Sequence, residues 1–137
     1  MGAWYTVGAL LGSGLATGVI LAGLLAVSTR GLVAAALIAA AFCMAFTLGF
    51  GWAQAVAGAI AAIVGAVAGS ILVQGALRRG GTRLGVAGFM GLAGVLLYLV
   101  SVVPLVGYAI VVAVPIYAAR IRNRQPTRFA GLRTLDK

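Results

Sequence analysis

Residues 51–76 read GWAQAVAGAIAAIVGAVAGSILVQGA, and their small side chains fall in register. Gly51, Gly58 and Gly65 recur every seven residues, and four positions on from them come Ala55, Ala62 and Gly69, with Ala76 continuing the second row. On a helix of about 3.6 residues per turn both rows lie on one side and form a shallow groove. In water each glycine would weaken such a helix by about 1 kcal/mol relative to alanine. In lipid the backbone has only itself to pair with, so the helix persists. The stretch therefore predicts a membrane helix with a packing seam, and its seven-residue repeat favours a left-handed crossing near +20°.

The composition agrees. Hydrophobic residues make up 64% of the 137 and charged residues 8%, with a mean hydropathy of +1.18. A water-soluble domain of this balance would expose apolar surface on every side. The expected solvent is lipid, and the length suits one embedded domain, residues 1–119, followed by a basic tail at 120–137.

Ten basic residues stand against one acid, Asp136, for a net charge of +9. Such an excess raises nucleic acid as a partner, but the placement of the charges argues for a membrane surface instead. They sit at Arg30, at Arg78, Arg79 and Arg83, and in the tail at Arg120, Arg122, Arg124, Arg128, Arg133 and Lys137, with only apolar spans between. Basic residues gathered at one membrane face meet anionic lipid headgroups, at about 1 kcal/mol each. The last two clusters, from Arg78 to Arg128, are the expected lipid contacts. The Ala, Gly and Arg bias suggests a bacterial protein, hence the cytoplasmic membrane.

Five spans follow from the apolar runs, at about 4–27, 31–50, 52–77, 84–102 and 105–119. The first opens on Trp4 and Tyr5, which suit the headgroup boundary, and no cleavable signal peptide is expected. It carries two four-residue glycine steps, Gly8 to Gly12 and Gly14 to Gly18, each able to accept a neighbouring helix. The second span carries Phe42, Phe46 and Phe50, one ridge at spacing four. Two places suit that ridge equally, the seam of the third span and the lipid. From Leu84 to Ala119 the chain is apolar without a break, and one helix of that length would run ~54 Å against a bilayer core of ~30 Å. Pro104 and Gly107 are the natural break. Gly85, Gly88, Gly91 and Gly94 recur every three residues and give the fourth span a broad smooth face. Pro115 is expected to kink the fifth span or end its regular part.

With five spans every charge cluster falls on one side. The positive-inside rule makes that side cytoplasmic, leaving the N-terminus outside. The fold class is thus an all-α integral membrane protein, a compact bundle of about five transmembrane helices with glycine and alanine seams. The seam residues are Gly8, Gly12, Gly14, Gly18, Gly51, Ala55, Gly58, Ala62, Gly65, Gly69, Gly85 and Gly88.

Chemistry is sparse. The predicted spans hold no ionisable Asp, Glu, His, Lys or Arg, which proton relays and ion-coupled carriers use. There is no histidine, and Cys43 is the one cysteine, so no Cys/His metal site or nucleophile–base pair can be assembled in one chain. No catalytic residue, metal or cofactor is expected. Thr6, Ser13, Thr17, Cys43, Thr47, Ser70, Ser101, Tyr98 and Tyr108 are expected to bond to their own helix backbone. The expected function is a structural or accessory membrane subunit that packs through glycine-rich faces, in a homo-oligomer or a larger complex. The alternative is a passive channel or carrier for a small neutral solute or anion.

Overall fold

The structure, a computed structural model, describes residues 2–124. Five helices run through it: α1 Ala3–Leu25, α2 Thr29–Thr47, α3 Trp52–Arg78, α4 Arg83–Ser101 and α5 Pro104–Arg124, with a 3-10 turn at Leu48–Phe50 between α2 and α3. No strand occurs among the described residues. All five helices are long and apolar enough to cross a membrane.

Local chemistry sets the ends. Ser28 accepts a hydrogen bond from the Gly31 amide and Thr82 from the Gly85 amide, each at 3.2 Å, which satisfies free N–H groups at the starts of α2 and α4. Gly51 and Gly80 hold φ of +123° and +87° where the chain enters and leaves α3, a region open to glycine but costly for other residues. Gly51 therefore belongs to the turn and not to the helical seam. Pro104 is the first residue of α5, where a missing N–H costs nothing. The break between the last two helices accordingly falls at Val102 and Val103.

The helices alternate in direction. Along α1 and α3 the neighbours rise together, Gly14 beside Gly58, Leu15 beside Gly65, Ala22 beside Gly69. Against α4 they run oppositely, Gly12 beside Ser101, Ile20 beside Gly94, Gly23 beside Met90. The first helix, α1, touches all four others, as does α3. With α3 it forms the inner pair, and Leu15, Val19, Ala61, Val73, Val86 and Met90 make the core between them and α4. A second cluster, Ala39, Cys43 and Ala62, joins α2 to α3.

That second cluster decides between the two places open to the aromatic ridge. Phe42, Phe46 and Phe50 point outward, each more than half exposed, with Phe42 and Phe46 stacked at 6.3 Å. The inner face of α2 is instead Ala35, Ala39, Cys43 and Thr47, also spaced by four, and the groove of α3 is filled mainly by α1. Phe42→Ala or Phe46→Ala should accordingly shift unfolding stability by less than about 1 kcal/mol. Ala39→Leu, pushed into a buried site, should cost about 1–3 kcal/mol. Both are read from far-UV circular dichroism melts in detergent.

Three further expectations change at α5. Pro115 does not end it: the helix continues to Arg124 and carries Arg120 and Arg122 in its last turns. Removing one backbone bond in a 21-residue helix leaves the others in place. Gly107 lies inside α5, where it meets the backbone of Gly8. Tyr108 does not bond to its own helix, since its hydroxyl donates to the Trp4 carbonyl at 3.0 Å and ties α5 to the start of α1. Ser13, Thr17, Thr47, Ser70 and Ser101 do donate to carbonyls three or four residues back in their own helices.

Candidate functional site at the basic end of the bundle

Two kinds of surface carry the expected sites, the small-residue faces and the basic end. Within the bundle the α1 and α3 faces lie backbone to backbone. A methyl group added at Gly14 would meet the Gly58 carbonyl, one at Gly18 the Ala62 carbonyl, and one at Gly65 the backbone of Leu15. At Gly12 it would strike the Ser101 side chain, and at Gly69 it would lie 2.8 Å from the Ala22 methyl. Gly58 has more room, with Thr47 at 3.6 Å. Gly8, Ala55 and Ala62 are buried.

The glycines of α4 divide. A methyl at Gly94 would run into Ile20 of α1, whereas at Gly88 and at Gly91 it would meet nothing within 4 Å, and at Gly85 only the Thr82 hydroxyl at 2.9 Å. At about 100° per residue, nine positions carry Gly94 half-way round the helix from Gly85. A three-residue repeat therefore cannot keep its glycines on one contact. Gly94 and Gly23, neither of them among the expected seam residues, make close approaches to Ile20 and Met90.

Alternating directions bring the described basic residues to one end. Arg30 stands in the first turn of α2 and Arg83 opens α4, while Arg78 closes α3 and Arg120, Arg122 and Arg124 lie at the end of α5. The arginines at helix C-termini complement the partial negative charge there, and those at N-termini do not. Arg79 is committed locally, its Nε donating to the Gly75 carbonyl at 3.1 Å. Arg128 lies outside the described residues, as does Asp136, the chain's one carboxylate side chain. Residues 2–124 thus supply no side-chain counterion to these guanidinium groups.

Between α2, α3 and α5 at this end lies a groove of about 360 Å³. Arg78 and Arg122 line it from two different helices, with Gln74 one turn and Ser70 two turns from Arg78 along α3. Leu32, Val67, Ile71 and Ile121 form its apolar walls. The arrangement can hold an anion whose remainder is apolar, because charge-assisted donors and a greasy wall sit side by side. Among the described residues no group of three or more His, Cys, Asp or Glu side chains comes together to hold a metal.

Residues 2–124 form an all-α bundle of five helices, each able by length and composition to cross a membrane, with a cationic rim at one end. No known protein-family model, curated protein or solved structure matches it.

Proposed function

We propose that this is a small non-enzymatic, multi-pass membrane protein that acts as a structural or accessory subunit, associating with its own copies or with a larger membrane complex. One observation carries the reading. The glycine face of α4 at Gly85, Gly88 and Gly91 is left open by the bundle itself, whereas the glycine faces of α1 and α3 are used internally. Small residues let a second helix approach closely in lipid, where dispersion contacts supply much of the attraction. Exposed Phe89, Leu92 and Leu96 beside that face would provide the contacting ridges. The passive channel or carrier ranks second, since α1 occupies the middle of the bundle with buried Leu15, Ala16, Val19 and Ala22. The cytoplasmic bacterial membrane and an inward-facing basic end belong to the same proposal, on the positive-inside rule.

The test is the mass of the protein extracted gently in native lipid, for wild type and Gly88→Leu. Leucine at position 88 has open space within the chain, so the melting curve should stay as it is. Association with a second copy or a co-extracted protein should weaken by about tenfold or more. A wild-type chain that travels alone in native lipid, or association untouched by Gly88→Leu, would overturn the reading.

A further inference from the structure

We propose that the groove between α2, α3 and α5 binds the phosphate headgroup of a single anionic phospholipid, with Arg78 and Arg122 as the paired donors. The inference rests on the bilayer residence proposed above, and narrows a general attraction between the basic end and anionic lipid to one site. Three features converge there. Two arginines from different helices line one groove, and residues 2–124 contain no carboxylate side chain to neutralise them. Polar Gln74 lines the groove one helical turn from Arg78, while Ile71 and Ile121 offer an apolar wall for the first acyl carbons. At about 360 Å³ the space suits a headgroup, not a whole lipid.

Electrostatics places the ligand at the mouth. Both α3 and α5 end here, and the partial negative charge of their last carbonyls opposes an anion set directly against those turns. The phosphate oxygens are therefore held by the guanidinium forks, which match a phosphate with two parallel hydrogen bonds each. Arg79 is left aside, because it does not line the groove. Arg30 and Arg83 share the same end of the bundle but do not line the groove, which makes them the control for charge alone.

Flotation of the purified protein with liposomes comes first and tests bilayer residence by itself. The protein is then reconstituted with phosphatidylglycerol or phosphatidylcholine, and retained lipid is counted by native mass spectrometry. Wild type should keep one phosphatidylglycerol per chain in preference to phosphatidylcholine. The Arg78→Gln/Arg122→Gln double variant should lose retention by about thirty-fold, and Arg30→Gln/Arg83→Gln, with the same loss of charge, by no more than about threefold. Equal losses in the two doubles, equal retention of the neutral lipid, or no retained lipid would overturn the site while leaving a positive flotation result intact. Displacement of the lipid by millimolar glycerol phosphate, itself then bound, would also overturn it, in favour of a soluble phosphate ligand. Melting curves of both doubles confirm that any loss is local, since all four side chains are exposed.

Discussion

Gly65→Leu should destabilise the bundle by about 3 kcal/mol or more, the upper end of what overpacking costs, and should lower the yield of folded protein accordingly. Even the first carbon of a side chain at position 65 has no room. It would collide with the Leu15 carbonyl and come within 2.9 Å of the Leu15 Cα. A flexible side chain can move aside, but the backbone of α1 can yield only by displacing the whole helix. That helix touches all four others, so the disturbance would spread through the core of Leu15, Val19 and Val73. Gly58→Ala provides the contrast. Its added methyl meets Thr47 at 3.6 Å, an ordinary contact, and stability should change by no more than about 0.5 kcal/mol. The two variants are compared by thermal melts and by denaturation in increasing SDS. Equal midpoints for Gly65→Leu and wild type would refute the close approach of α1 and α3.

The second large effect is all-or-none. In a Cys43→Ala background, a single cysteine at Gly49 should react in intact cells with an impermeant thiol reagent, and a single cysteine at Thr82 should react only after permeabilisation. Position 49 lies in the turn between α2 and α3 and has open space for a side chain. Position 82 precedes α4 at the opposite, basic end. Replacing Thr82 removes the hydroxyl that accepts from the Gly85 amide, a loss of about 1 kcal/mol that should leave the fold in place. Labelling of both sites from outside, or of Thr82 alone, would refute the proposed orientation. Cys43 itself is buried between α2 and α3, so its replacement by alanine is a small change of volume.

Much of the architecture was legible in the residues. The apolar runs, bounded by Ser28 to Arg30, Gly49 to Trp52, Arg78 to Arg83 and Pro104, place five helices to within a few residues, except for the end of the fifth. The length of residues 84–119 against a bilayer required a division, and the division puts the basic clusters at one end. The groove was not legible, because it needs α5 to continue through Ile121 and Arg122 where the sequence reading stopped the helix at Ala119. Nor was the role of α1 as the central helix. The seam of α3 was visible as a groove, but its occupant was not.

Sequence by itself determined the number of helices, their alternation and the gathering of charge, because each is set locally, by hydropathy, length, and glycine or proline at the turns. Tertiary structure alone decided which face meets which. In water the polar side of a helix marks its exposed face. When every face is apolar that mark is absent: Phe42 and Phe46 turn outward, Ala39 and Cys43 inward, on grounds of size and not of polarity. Fit between surfaces is a property of pairs, and a pair exists only once the helices have assembled.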